Sequence, residues 1–236
     1  MAINLEKGQR INLEKDGGQK LTNFCVGCNW GAIVTKVEVV DSEGFLGIGR
    51  KTHWSDREID VDVDLSCIMT DSNCKLVDTL YSPQYRESYF TNRGLPAGKD
   101  WSVDKAMYHT PDDTQGDKGG DDGLDNEIIT VDLSKVNPSI EQIIFFLNIY
   151  RPTNVDFQQV PYVAIRMFEG TPQKVNSVFA KYDVAKDSKF DGKDALIMGK
   201  LFRNNGEWSF AAIGDAFNDK HDMRNTINRI LTSYAK

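Results

Sequence analysis

Short alternating runs of apolar and polar residues dominate the chain. Residues 33–40 alternate and are rich in β-branched side chains. From Ile59 to Met69, Ile59, Val61, Val63 and Leu65 fall on one side of an extended chain, with Asp60, Asp62, Asp64 and Ser66 on the other. Period two predicts strands. Further strands are expected at 75–81, 128–133, 143–150, 162–168, 177–182, 195–202 and 207–213. Asn204-Asn205-Gly206 parts the last two, and Asn-Gly between apolar runs predicts a tight hairpin. Residues 41–58 and 82–105 read as long loops. After Phe217 the period changes. Met223, Ile227, Ile230, Leu231 and Tyr234 fall at helical spacing, with Asn218 or Asp219 placed to cap the start. The pattern predicts a mainly β protein, a sandwich carrying one C-terminal amphipathic helix, in a single domain over 1–236.

The chain has 236 residues, 40% of them hydrophobic, enough for one buried core. No run approaches the roughly 18 apolar residues of a membrane helix. The start, Met1-Ala2-Ile3-Asn4-Leu5-Glu6-Lys7, lacks the basic and apolar parts of a signal peptide. The expected compartment is the cytoplasm. Charge changes the picture more. The net charge is −7, and residues 112–127 hold seven acids and one base, so −6 of it sits in that segment. The body is nearly neutral, which argues against a broad basic face for nucleic acid.

The acidic segment contains Asp112, Asp113, Asp117, Asp121, Asp122, Asp125 and Glu127, with glycines at 116, 119, 120 and 123. Ca²⁺ takes about 6–8 oxygens, and glycines allow the left-handed turns that fold a backbone around an ion. Carboxylates this dense repel one another until a cation relieves them. Two calcium templates fail. Read as an EF-hand from Asp113, the segment has Lys118 where glycine is required and Leu124 where glutamate is required. Read as a β-roll nonapeptide, Asp122 replaces a glycine and there is one copy. The plain alternative is a solvated acidic linker, but a strong strand follows at once. Asp60, Asp62 and Asp64 lie on one face of their strand, a second acidic piece that a sandwich can bring beside the loop.

Other motifs carry less. Cys25-x-x-Cys28 is half a zinc or redox motif. Cys67 and Cys74 do not complete it, so structural thiols are expected. Gly44 to Thr52 nearly matches a phosphate-binding loop, but Arg50 stands where lysine belongs and no helix signal follows. His53, His109 and His221 form no paired motif, and no Gly-x-Ser-x-Gly nucleophile turn exists. Trp30, Trp54, Trp101 and Trp208 read as packing residues.

The chain resembles the TerD family of tellurium-resistance and stress proteins over nearly its whole length. The residues that carry the resemblance are Ile3 to Gly8, Val26-Gly27-Cys28-Asn29-Trp30 and Asp62-Val63-Asp64-Leu65-Ser66. They continue with His109-Thr110-x-Asp112-x-x-x-Gly116, Gly120-Asp121-Asp122, Glu127-Ile128 and Val131 to Val136. Ala180 to Asp183, Gly199 to Arg203 and Glu207 to Phe210 complete the set. The resemblance implies a Ca²⁺-binding β-sandwich without known catalytic activity. It implies action in stress-response complexes near the membrane, with sibling proteins and an integral membrane partner. It assigns Asp62, Asp64, Asp112, Asp121, Asp122 and Glu127 as metal ligands. Asp113 and Asp117 stand where the family has an Asn and a Glu. The chain departs at Gly31, where the family has an Asp, and Asp60 or Asp113 is the expected substitute. Residues 123–126 look inserted, and the loops at 41–58 and 82–105 look extended. The competing expectation from the residues is a metal-dependent hydrolase or transferase using the strand of Asp60, Asp62 and Asp64 together with the acidic loop.

Overall fold

Ile143-Ile144-Phe145-Phe146-Leu147 is apolar at every position because both faces of its strand are covered. The computed structural model describes residues 2–14, 18–42, 50–85, 94–184 and 188–235. One sheet has the order β1 (Ile3–Asn4), β12 (Lys174–Asp183), β11 (Val163–Thr171), β3 (Asn23–Trp30), β9 (Glu127–Asp132) and β8 (Met107–His109). The second has the order β2 (Arg10–Asn12), β14 (Glu207–Phe217), β13 (Ala195–Asn204), β10 (Gln142–Arg151), β6 (Asp62–Thr70) and β7 (Leu76–Leu80). Ile143, Phe145 and Leu147 of β10 join Val63, Leu65, Val26, Ile129 and Ile165 in the core between the sheets. Ile144 and Phe146 point the other way. They pack with Ile68, Ile197, Met223, Ile227 and Ile230 beneath the C-terminal helix.

The turn at Asn205-Gly206 joins β13 and β14 with both residues at positive φ, 52° and 83°, the twist that suits a two-residue hairpin. The helix starts later than its periodicity suggested. Phe217 ends β14, so neither Asn218 nor Asp219 caps the helix. Asp222 does, accepting from the Arg224 amide at 3.0 Å. The helix, α1, spans Met223–Arg229 and runs into a wider turn over Ile230–Tyr234. Asp219 is buried instead, held by Arg229.

The expected loop at 41–58 is largely strand. β4 (Ile33–Ser42) and β5 (Lys51–Ile59) form a long antiparallel hairpin, a two-stranded sheet of its own. Its polar outer positions hid the alternation, since neither face of β5 is buried. The near phosphate-binding motif falls mostly on residues 43–49, outside the described residues. Residues 94–105 are irregular apart from a bridge at Trp101, as the loop reading of 82–105 expects.

Cys25 and Cys28 sit on opposite faces of β3. Cys28 lies in the core between the sheets, and Cys25 lies outside with Ile128 and Phe168. An odd separation on a strand forces this, so the pair cannot close on one metal. All four cysteines are free thiols, and burial pushes Cys25 up to about 11.

Candidate metal centre

The site begins where the second sheet runs short of a neighbour. β7 pairs with β6 from Cys67 to Thr70 only. Beyond that point the backbone groups of β6 facing this edge need other partners. Leu65 finds two side chains. Its amide donates to Glu127 Oε2 at 2.7 Å, and its carbonyl lies 2.8 Å from His109 Nε2. Both side chains come from the opposite sheet, on β9 and β8. Val61 is held similarly, its amide donating to the Gln115 carbonyl at 3.1 Å and its carbonyl accepting from Trp30 Nε1 at 2.7 Å. The acidic loop thus acts as the missing edge of β6, and this joins the loop to the Asp62–Asp64 strand.

Carboxylates gather at the junction. Asp64, Asp112 and Glu127 each place an oxygen within 4.8 Å of the others. Asp64 is 1% exposed and Glu127 0%. Asp62 borders the same cleft with Asp64, Asp112, Tyr85, Tyr150 and Arg151. Tyr85 donates its hydroxyl to Asp64, and Arg151 Nε stands 4.0 Å from Asp62. Burial, then the neighbouring Asp112, pushes Asp62 up to about 7. Burial and Asp62 raise Asp64 well above the carboxylate range, and burial and Asp64 do the same to Glu127. Buried His109 is the nearest imidazole. Its Nδ1 faces the Thr110 carbonyl at 2.7 Å, so both ring nitrogens meet carbonyls. Its Nε2 lies 3.8 Å from Glu127.

A second group lies further out on the loop. Asp117, Asp121 and Asp122 also place oxygens within 4.8 Å of one another, and the latter two are exposed. Asp117 is fixed by its own backbone, whose amide donates to Trp30 O and whose carbonyl accepts from Ala32 N, both at 2.9 Å. Tyr162 donates to Asp117 Oδ2 at 2.8 Å, and Asn29 Nδ2 donates to Asp121 Oδ1 at 2.9 Å. Asn29 Oδ1 is buried without a partner among the described residues. Asn126 links the two regions, donating to Asp113 at 3.2 Å and Asp117 at 3.1 Å while accepting from the Trp30 amide at 2.8 Å. Gly116 turns the loop at φ 73°, where a Cβ would stand 2.6 Å from the Trp30 ring.

Not every sequence candidate joins a group. Asp113 Oδ1 accepts from the amides of Gln115 and Gly116 at 2.8 and 3.0 Å, so it shapes the loop. Asp60 lies outside β6 and pairs with Lys118 at 3.0 Å on the surface. It does not extend the row of Asp62 and Asp64. Asp125 is taken by Arg166 Nε, 2.9 Å from both oxygens.

The donor set fits Ca²⁺. Two oxygens bound to one such ion lie at most about 5 Å apart, and both groups meet this limit. All donors are hard oxygens. Burial makes the ionised form of the inner group costly, which is why its carboxyls are pushed toward the protonated form.

A family profile described as TerD domain matches residues 1–228. The chain belongs to the TerD family. The stress response protein SCP2 of Bacillus subtilis is 32% identical over 226 residues, covering 93% of this chain and 94% of its own. General stress protein 16U of the same organism is 29% identical, covering 99% and 97%. The tellurium resistance protein TerD of Serratia marcescens is 27% identical, covering 92% of each chain. The solved structure of a homologue of telluride resistance protein from Streptomyces coelicolor matches with TM-score 0.56 at 14% identity, covering 91% of this chain and 98% of its own. That likeness concerns the fold. The family is one of tellurium-resistance and stress-response proteins by the names of these members.

The departure from the TerD pattern at Gly31 has a structural counterpart. A Cβ at Gly31 would stand 2.6 Å from Tyr162 Cε1, so the tyrosine ring occupies the space of the missing side chain. Its hydroxyl turns to Asp117. Tyr162, Tyr85, Asn126 and Arg151 carried no sequence signal for the site. His109 had one, its place three residues before Asp112.

Proposed function

We propose that this TerD-family protein is a non-enzymatic Ca²⁺-binding stress protein. The observation that carries the reading is the convergence of Asp64, Asp112 and Glu127, two of them fully buried, on one point. Asp62 completes this inner set. Asp117, Asp121 and Asp122 are the donors of an outer set, with Asn29 Oδ1 facing no other partner. The ion supplies positive charge to carboxylates that otherwise repel. The chain's residues do the rest. His109 and the Leu65 backbone hold Glu127, Tyr85 holds Asp64, and Asn126 fixes the loop between the groups.

The consequence is linkage between the ion and the loop. A ligand bound only by the folded state stabilises it by about 2.7 kcal/mol at 100-fold excess over its Kd. The ordered loop then serves as a surface for assembly with sibling proteins and an integral membrane partner in the stress response. Among the described residues no helix is long and apolar enough to cross a membrane, which leaves the membrane contact to a partner. Acidic centres repel oxyanions, so the resistance role is read as assembly and not as capture of tellurite. Mg²⁺, which prefers near-ideal octahedral geometry, is expected to bind more weakly. Thermal melts after chelation test this. Added Ca²⁺ raises the melting temperature more than Mg²⁺ does, and Asp121→Asn with Asp122→Asn removes only the part owed to the outer set. A melt indifferent to millimolar Ca²⁺ sinks the reading.

A further inference from the structure

The β4–β5 hairpin stands apart from both sheets. None of its strand residues is buried, and Val34, Val39 and Trp54 are exposed at 56%, 37% and 68%. Among the described residues, no backbone hydrogen bond joins the outer edge of β4 or β5 to another element. A two-stranded ribbon alone is marginal in water. Its open edge is a template for another strand. At about 3.3 Å per residue, β4 offers an edge of roughly 33 Å.

We propose that β4 pairs antiparallel with β4 of a second copy of this chain, about a two-fold axis at Val37. The product is a four-stranded sheet in the order β5, β4, β4, β5. A two-fold contact is self-complementary, so residue i meets residue j and j meets i. Opposed residues in an antiparallel ladder share the same hydrogen-bonding type, which puts the axis on a residue. With the axis at Val37, Lys36 meets the partner's Glu38 and Glu38 meets the partner's Lys36. Val37 meets the partner's Val37, Val34 meets the partner's Val40, and Thr35 meets the partner's Val39. Every charged neighbour of the axis finds its opposite, and the exposed valines find apolar or β-branched partners.

Adjacent registers lack this match. An axis at Lys36 opposes Lys36 to itself, and one at Glu38 opposes Glu38 to itself. Like charges directly opposed destabilise a sheet. Three registers of the other edge lack the match too. On β5, an axis at Asp56 opposes Asp56 to itself, one at Ser55 sets Trp54 against the partner's Asp56, and one at Trp54 opposes Lys51 to the partner's Arg57. On β4, Val37 is the only axis that sets opposite charges against each other.

Sedimentation velocity on the full chain tests the proposal. The wild type sediments with about twice the mass of its 26.6 kDa monomer. Lys36→Glu alone and Glu38→Lys alone each oppose like charges at both ends of the axis and sediment as monomers. Both positions are exposed. Lys36 faces Asp56 across the hairpin and Glu38 faces Trp54, so Glu38→Lys is the single variant that keeps the wild-type melting temperature. The double exchange Lys36→Glu with Glu38→Lys restores the dimer. An equimolar mixture of the two single variants forms a mixed dimer, because each charge then meets its opposite. A wild type that stays monomeric at its highest soluble concentration overturns the proposal. So does a dimer indifferent to the single exchanges, or one that neither the double exchange nor the mixture restores.

Discussion

Glu127 does two jobs at the centre of the molecule. One oxygen caps the Leu65 amide, and the other lies 3.4 Å from the Asp113 amide. Its charge is buried beside Asp64, which makes it costly in the metal-free chain and useful once a cation is present. Glu127→Gln keeps an acceptor and removes the charge. We expect it to melt no lower than wild type in chelator and to lose the Ca²⁺-induced rise, about 2.7 kcal/mol at 100-fold excess over Kd. Paired melts with chelator and with Ca²⁺ measure both effects. The same carboxylates set a pH dependence. Asp62, Asp64 and Glu127 have folded pKa values raised above their unfolded values. Within that window the folded chain holds protons that the unfolded chain has released, so stability falls as pH rises. For Asp62 the window runs from 3.8 to about 7. In chelator the melting temperature should fall as pH rises through that window, and saturating Ca²⁺, which needs deprotonated ligands, should offset the fall. A flat profile in chelator contradicts the burial of these groups. The acidic residues stood out in the sequence from their density alone. Their division into an inner and an outer group was not, because it depends on where β7 stops pairing.

At the level of elements, the acidic loop is tied to its neighbours by single contacts that can be broken one at a time. Arg166 of β11 grips Asp125, whose side chain is 1% exposed. Arg166→Met leaves that carboxylate buried and uncompensated, which is expected to cost about 3 kcal/mol. Chemical denaturation of the two proteins in the same buffer measures it, and an unchanged midpoint contradicts the tether. The N-cap of α1 gives a smaller effect. Asp222→Ala should cost about 1 kcal/mol. Alternating strands such as β6 and the Asn205-Gly206 turn were readable because one face meets the core. β5 was not, because a ribbon exposed on both faces carries no burial signal. β1, β2 and β8 were too short to show a period. The helix was readable from its apolar stripe, but its start was misplaced, since Phe217 packs equally well as the last residue of a strand.

At the scale of the whole molecule, the sandwich and the acidic loop form one unit. His109 and Glu127 of one sheet hold Leu65 of the other, so the inner carboxylates sit at the seam where the two layers meet. Charge is concentrated there while the rest of the chain is close to neutral. On the proposed reading, an ion bound at the seam would stabilise the packing of sheet on sheet and the order of the loop together. Titration calorimetry of the chelator-treated protein with Ca²⁺ tests this most directly. The account predicts saturable binding in wild type, with the inner part lost in Asp64→Asn and Glu127→Gln and the outer part lost in Asp121→Asn with Asp122→Asn. Absence of binding heat at several temperatures, together with an unshifted melt, would contradict it.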